Sequence, residues 1–393
     1  MNPVKENLNP YEILRPFIDG ITFEDENHPN PISVVVPTFN RSPHPLEHDS
    51  NPLAWCLESL LAQQNTNLAE IVVVDDNSAD YTIQVVNHFT SEAAKQKVKL
   101  KLIRNPENIG SSRSRNIGIR ESESQLIMFV DDDCVFDPRM LFGAAFTLDS
   151  LPESAAAIHV PIYHRSRNPT IINAKEVGVL DLDNGVIKGN FGGFPAEYLA
   201  NPELNLLDTT RKIFKPIPIQ TIGGIFLAKK DRLEKVGGFP KDINWRNSYR
   251  EEDDLALRLR DQGNTLWFTP DPKFGSIHLK YGAVEQIGTD ELDEGLAYKI
   301  NRANVPVSES GNRVSPEEWF HDVIMATYVT LGRRNPRAAE EYAISIHGRF
   351  VEENNFAVSG VGTKISEKAR RTQIYGQAIE DAKKHLNRLE LRA

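Results

Sequence analysis

Only two cysteines, Cys56 and Cys134, occur in 393 residues. Two thiols cannot build a disulfide framework, and neither stands in a metal-binding spacing, so a reducing compartment is expected. Apolar runs of the roughly 18 residues that a membrane span needs are missing. The opening residues, Met1-Asn2-Pro3-Val4-Lys5-Glu6-Asn7, hold neither a charged nor an apolar targeting region. The expectation is a cytoplasmic protein with no transmembrane segment, for which peripheral membrane association stays open. Positive charge is also short: 45 Lys and Arg against 55 Asp and Glu leave a net −10, which argues against nucleic acid as a partner. Several site motifs are absent as well. The place after the first apolar strand, where a dinucleotide fingerprint would stand, reads Pro37-Thr38-Phe39-Asn40 with no glycine. Neither a P-loop, H-E-x-x-H nor G-x-S-x-G occurs, so dehydrogenase, P-loop and Ser-hydrolase chemistry lack their required residues.

What the chain does have is an apolar strand, Ile127-Met128-Phe129-Val130, running into Asp131-Asp132-Asp133. Like charges about 4 Å apart repel by about 1–4 kcal/mol across effective dielectrics of about 80 to 20. A cation or a shared proton offsets such a cost; a solvated acidic turn is the plain alternative. The surrounding pattern decides between them. Strands are expected over residues 32–37, 71–74, 98–103 and 126–130, with helices over 53–64, 80–96 and 110–122 between them. Such alternation means βαβ units and a mostly parallel sheet covered on both faces, whose ligands bind beyond the carboxyl ends of the strands. Three of the four strands end in polar clusters: Thr38-Phe39-Asn40, Asp75-Asp76-Asn77-Ser78 and the three aspartates. One sheet edge therefore collects them all.

Beyond residue 155 the spacing changes. A strand is expected over 158–163, a hairpin over 177–187 turning at Asp183-Asn184-Gly185, a strand over 221–227 and a short helix over 229–236. A charged helix follows over 250–262, then short strands over 265–268 and 274–277. From 290 onward the chain reads as helical, with breaks near 304–316 and 353–362. Four regions result: an N-terminal arm (1–31), the alternating half (32–150), a second half (151–289) and a helical C-terminal region (290–393).

Six ordered segments carry a resemblance: Ser33 to Arg41, Ile71 to Ser78, Glu107 to Ile119, Phe129 to Cys134, Gly223 to Leu227 and Glu251 to Leu259. In this order the chain resembles the family 2 glycosyltransferases. The resemblance implies an α/β fold of GT-A type, a Rossmann-like sheet flanked by helices, with a helical extension. For residues 32–150 it implies a nucleotide-sugar-binding half, and for 151–289 an acceptor or catalytic half. It implies an inverting, metal-dependent transfer of sugar from a nucleoside-diphosphate sugar, uridine being the family's commonest base, to an acceptor hydroxyl on a glycan, a lipid-linked sugar or a small molecule. Pro37, Thr38, Phe39, Asn40, Asp75 and Asp76 would surround the base and ribose, where an aromatic face stacks a base and a carboxylate accepts from an imide N–H. Arg115 would hold the nucleotide or its phosphates.

Asp131-Asp132-Asp133 matches the D-x-D motif. Asp131 would approach the ribose and Asp133 a Mg²⁺ or Mn²⁺ ion, which suits one or two carboxylates plus phosphate oxygens. Asp132, in the variable middle place, is expected to be the acid most cheaply replaced. The run Glu251-Glu252-Asp253-Asp254 matches the segment carrying the general base. Counting back from Leu255 makes the base Glu252; aligning the literal Glu-Asp pair makes it Asp253. His278 would be a metal or phosphate ligand, and Lys280 a second contact to the diphosphate. Gly223 and Gly224 would let the sugar or acceptor approach the backbone. The helical tail is expected to serve acceptor use or folding. Two other readings are a catalytically silent sugar-nucleotide or glycan-binding module and a sugar nucleotidyltransferase; the latter lacks its glycines after the first strand.

Overall fold

The computed structural model describes residues 28–42, 51–164, 179–181, 186–188, 216–219, 221–241, 251–269, 276–278, 316–333, 335–354 and 365–390. The first part alternates β1 (Pro31–Thr38), α1 (Pro52–Leu61), β2 (Asn67–Asp75), α2 (Thr82–Lys95), β3 (Lys99–Arg104), α3 (Ser111–Glu121) and β4 (Leu126–Phe129). Each element has a local cause. Helix α1 starts where the Asn51 side chain accepts from the Ala54 N–H and Pro52 supplies a preset φ. Helix α3 starts at Gly110, whose φ of 87° lies in the left-handed region that glycine enters without strain.

β5 (Cys134–Phe136), α4 (Met140–Ser150), β6 (Ala155–His159), β7 (Ile162–His164), β8 (Val179–Asp181), β9 (Val186–Lys188), β10 (Ile217–Ile219), β11 (Phe226–Lys229) and α5 (Lys230–Lys235) follow. Then come α6 (Glu251–Asp261), β12 (Thr265–Phe268) and β13 (Ser276–His278). The main sheet runs β10-β12-β6-β11-β4-β1-β2-β3. β1 is parallel to β2 and β4, and β2 to β3. β11 enters antiparallel between β4 and β6, while β6 and β12 are again parallel. Side chains alternate between the faces as the period of two requires. Val34, Val36, Ile71, Val73 and Met128 belong to one apolar core, and Val35, Val72, Val74, Ile127 and Phe129 to the other.

The strand expected over 158–163 is two strands in two sheets. β6 stays in the main sheet, while β7 joins the small sheet β5-β13-β7. Pro161 lies between them; it has no N–H to donate to a ladder, but its carbonyl accepts from the Ser276 N–H. β8 and β9 pair antiparallel as the expected hairpin does, and the turn residues 183–185 lie outside the described residues.

The C-terminal region holds α7 (Pro316–Gly332), α8 (Pro336–Ile346) continued by a wider π turn (His347–Glu352), and α9 (Lys368–Glu390). Phe320, Ile324, Tyr342, Phe350, Ile374 and Ala378 belong to a third core between these helices, and Leu257 from α6 packs against it. Helix α6 therefore serves two cores, because Leu255, Ala256 and Leu259 belong to the sheet.

Candidate active site

The carboxyl ends of β1, β2 and β4 meet at one edge, and each loop is held by another. After β1, Pro37 and Thr38 are buried, Phe39 is half-buried and Asn40 is exposed with φ +49°. The Asn40 N–H donates to Ser78 Oγ at 2.9 Å, and its side-chain oxygen accepts from the Ala79 N–H. The β1 and β2 loops are thereby zipped together. Asp75 is fully buried; one oxygen accepts from the Ser78 N–H, and the other lies 3.5 Å from Arg104 Nε. Asp76 spends its carboxylate on the chain itself: it accepts from Asn105 Nδ2, the Ile109 N–H and the Gly110 N–H at 2.8–2.9 Å. That fixes the loop opening α3, and so the position of Arg115.

Arg115 is the hub. Its side chain lies 3.0 Å from Asp131 Oδ1 and 3.3 Å from Glu252 Oε1, and it is hydrogen-bonded to Glu251. Arg115 is 4 % exposed and Glu251 1 %, so this is a buried cation shared between the β4 acids and the first turn of α6. The Phe239 ring lies 5.5 Å beneath the guanidinium. Burial works against the Arg115 charge, yet Glu251, Glu252 and Asp131 hold its pKa above the ordinary value.

A second arginine, which the sequence reading passed over, serves the other two aspartates. Arg41 Nε lies 2.8 Å from Asp132 Oδ1, and an Arg41 Nη lies 3.2 Å from Asp133 Oδ2. The pattern that could have revealed it is a basic residue directly after β1, in a loop facing three acids. Asp132, the acid expected to be most cheaply replaced, is buried and paired. Burial pushes its pKa up to about 6, with Arg41 opposing and Asp133 adding to the shift. Beneath the loop, burial also raises the Cys56 and Cys134 thiols well above their ordinary value, which makes them inert apolar packing.

The four acids of α6 have different environments. Glu251 accepts from Ser111 Oγ at 2.6 Å besides Arg115. Asp253 accepts from the Thr221 hydroxyl. Asp254 accepts from Arg258 Nε at 2.7 Å and from Arg333, just past α7, at 3.1 Å. Glu252 keeps 18 % of its side chain exposed. Its pKa is raised well above the carboxylate range by burial and by Glu251, with Arg115 opposing.

Gly224 borders the same place. A Cβ there would stand 2.6 Å from Asp131 Oδ2, so only glycine lets this backbone approach the carboxylate. Gly223 is buried beside it. His278 sits in β13 at the register position opposite Cys134, the residue after Asp133; Lys280 lies outside the described residues. Among the described residues no three His, Cys, Asp or Glu side chains form a ready metal cage. The donor set is nonetheless hard carboxylate oxygen at a strand end, which fits a Mg²⁺- or Mn²⁺-type ion whose remaining ligands are diphosphate oxygens and water.

This sheet, with acids closing β4 and opening α6, has the GT-A fold that the sequence resemblance implied. Residues 33–193 match the family model described as Glycosyl transferase family 2. An N-acetylglucosaminyltransferase of Sinorhizobium fredii is 27% identical over 140 residues, covering 35% of this chain and 31% of that protein. The poly(ribitol-phosphate) beta-N-acetylglucosaminyltransferase TarS of Staphylococcus aureus is 32% identical over 119 residues, covering 30% of this chain and 18% of its own length. The chain thus spans less than a third of these relatives. In fold, the S. aureus TarS 1–349 structure in complex with UDP-GlcNAc matches 91% of this chain and 83% of its own, with a TM-score of 0.50 and 18% identity. The structure of GalNAc-T7 with UDP, GalNAc and Mn²⁺ matches 89% of this chain and 56% of its own, with a TM-score of 0.53 and 15% identity. Separately, no helix among the described residues is long and apolar enough to cross a membrane.

Proposed function

We propose that the protein is an inverting glycosyltransferase that moves a sugar from a uridine-diphosphate sugar to an acceptor hydroxyl. The observation that carries this reading is the Arg115 bridge, which ties the first D-x-D acid to the first turn of α6. Donor-side and base-side acids thus stand one guanidinium apart at one sheet edge. Phe39, half-buried after β1, offers its ring face to the base, and the fully buried Asp75 holds the β2 loop beside it through the Ser78 N–H. Asp131 receives the ribose, and Gly224 leaves room for the donor or acceptor beside it. Asp133, with His278, would hold a divalent cation, whose chemistry is neutralisation of charge on the departing diphosphate.

Glu252 is the general base of this scheme. Among the four acids of α6, Glu251, Asp253 and Asp254 accept hydrogen bonds from Ser111, Thr221 and Arg258 respectively. Glu252 is held by Arg115 at 3.3 Å and retains access to solvent. A raised pKa strengthens a carboxylate as a proton acceptor, and general-base catalysis is worth about 10²–10⁴-fold in rate. Arg115 opposes that rise. The acceptor hydroxyl loses its proton to Glu252 as its oxygen attacks the anomeric carbon, and the bond to the diphosphate breaks on the opposite side.

The test is a panel of UDP-, GDP- and dTDP-sugars with Mn²⁺, read by thermal shift and by donor hydrolysis. Selective stabilisation by uridine nucleotides with metal-dependent turnover is expected. Binding without turnover across a broad set of donors and acceptors would overturn the enzyme reading in favour of a silent binding module.

A further inference from the structure

The C-terminal helices reach the acid cluster of α6 through one contact. Arg333 donates from Nη1 to Asp254 Oδ1 at 3.1 Å, while Arg258 holds the other oxygen at 2.7 Å. Asp254 is 2 % exposed, so its charge is balanced by these two guanidiniums rather than by water. The Arg333 end is firmly placed. Its N–H donates to the Val329 carbonyl, the Asn335 N–H to the Leu331 carbonyl, and the Asn335 side chain caps α8 through the Arg337 and Ala338 N–H groups. The end of α7 and the start of α8 are thus each fixed by their own hydrogen bonds. The Asp254 end is placed differently: residues 251–254 form the first turn of α6, with Glu251 held by Ser111 and Arg115 and Asp253 by Thr221. Leu257, one turn on, packs on the C-terminal core, whereas Leu255 and Leu259 pack on the sheet.

We infer that the C-terminal helical unit is the positioning element of the base helix, with Arg333 as its contact residue. The bundle presses on α6 from the side opposite the sheet, through Leu257 and through Arg333–Asp254. It fixes the rotation of the first turn and hence where Glu252 points. Arg333 touches no substrate in this scheme; it acts through Asp254. The inference rests on the glycosyltransferase reading for its catalytic consequence, but its mechanical part stands on the ion pair alone. It divides the labour of the chain: β1, β2 and β4 bind the donor, and the bundle aims the base.

The experiment uses the full chain and four variants, Arg333→Met, Arg333→Lys, Asp254→Asn and the double variant Arg333→Met with Asp254→Asn. Hydrogen–deuterium exchange is followed over residues 251–261 and, as a fold control, over 368–390. With Arg333→Met, exchange over 251–261 should accelerate about tenfold, the effect of one lost hydrogen bond to a buried charge, while 368–390 stays protected. Arg333→Lys should restore most of the protection, because a single contact needs only a point charge at that place. Asp254→Asn should behave as Arg333→Met does, and the double variant should add little to either. In turnover, Arg333→Met should lower kcat by about 10- to 100-fold, the scale of a misplaced catalytic group. Affinity for UDP with Mn²⁺, measured by calorimetry, should stay at the wild-type value. Unchanged exchange over 251–261, or a loss of UDP affinity in step with kcat, would overturn the inference. Wild-type protein that neither binds UDP nor turns over a donor would instead refute the glycosyltransferase reading, and the exchange result would still decide the mechanical link.

Discussion

Replacing Arg115 by methionine tests the site where its electrostatics are most concentrated. The guanidinium is 4 % exposed and its partner Glu251 1 %, whereas the Asp131 side chain keeps 34 % of its surface in water. At an effective dielectric of about 20, charges about 3 Å apart attract by about 5 kcal/mol, and each buried ion gives up several kcal/mol of hydration. The exposed Asp131 recovers its hydration when the cation leaves, so its share of the loss is small. Glu251 cannot, because protein surrounds it. Breaking a buried pair from one side costs about 3–5 kcal/mol, a large share of the roughly 5–15 kcal/mol that holds a domain together. Arg115→Met should therefore lower stability by about 3–5 kcal/mol. Adding Glu251→Gln, which removes the stranded charge, should return about 1–3 kcal/mol of it. Urea unfolding followed by tryptophan fluorescence is the assay, since Trp55, Trp245 and Trp267 precede the C-terminal helices in the chain. A single variant within about 1 kcal/mol of wild type, or a double variant no more stable than the single, would refute the claim that a buried shared cation holds this site.

Three other outcomes are expected. Glu252→Gln should lower kcat about 10²–10⁴-fold at unchanged UDP affinity, while Asp253→Asn should show the smaller kcat effect; the reverse order in steady-state kinetics would move the base to Asp253. Asp132→Asn should cost about 1–3 kcal/mol of stability by leaving the buried Arg41 with Asp133 as its remaining carboxylate on β4, measured by the same urea titration; a neutral result would mean that the ion pair contributes nothing. The third outcome concerns His321, whose ring nitrogens lie 3.0 Å from Asp322 and 3.1 Å from Asp381. Its pKa is raised above 6.5 mainly by the bond to Asp322, with burial opposing and Asp381 adding. A raised folded-state pKa means that the stabilisation is fully present below the unfolded value near 6.5 and is lost as pH rises through the folded value. The thermal midpoint should therefore fall between about pH 6 and pH 8 by more in wild type than in His321→Asn; equal falls would rule His321 out as the source.

The sheet was legible because its causes are local. Runs such as Val34-Val35-Val36 and Ile71 to Val74 are too short for helices and too apolar for loops, and the period of two sorts them onto two cores. The acid clusters were legible for the same reason, since they end strands or open a helix. What sequence did not reveal is pairing across distance. Nothing adjacent to Asp132 indicates that Arg41 reaches it over 91 positions, and nothing near Asp254 points to Arg333, 79 positions away. The expectation for Asp132, drawn from its middle place in the motif, could not include this pair: motif spacing describes ligands and says nothing of counter-ions. The split of residues 158–164 between two sheets was missed because apolar runs carry no mark of which sheet they join, and Pro161 alone hinted at the break.

The two arginines bear on how the three acids after β4 and the first two of α6 can crowd one sheet edge in a chain of net charge −10. Each β4 acid touches an arginine that also serves another acid: Arg41 spans Asp132 and Asp133, and Arg115 spans Asp131, Glu251 and Glu252. In the proposed scheme a divalent cation would meet Asp133, whose Oδ2 is already 3.2 Å from Arg41. The two cations would then compete for one carboxylate, and the diphosphate, carrying its own negative charge, would supply the acceptor for whichever is displaced. Metal and nucleotide should therefore bind cooperatively. Mn²⁺ alone, titrated by electron paramagnetic resonance, should bind at least about tenfold more weakly than Mn²⁺ in the presence of UDP, a coupling of about 1.4 kcal/mol. Asp133→Asn should abolish the coupling. Equal Mn²⁺ affinity with and without UDP in the wild type would show that Arg41 does not compete for the metal acid.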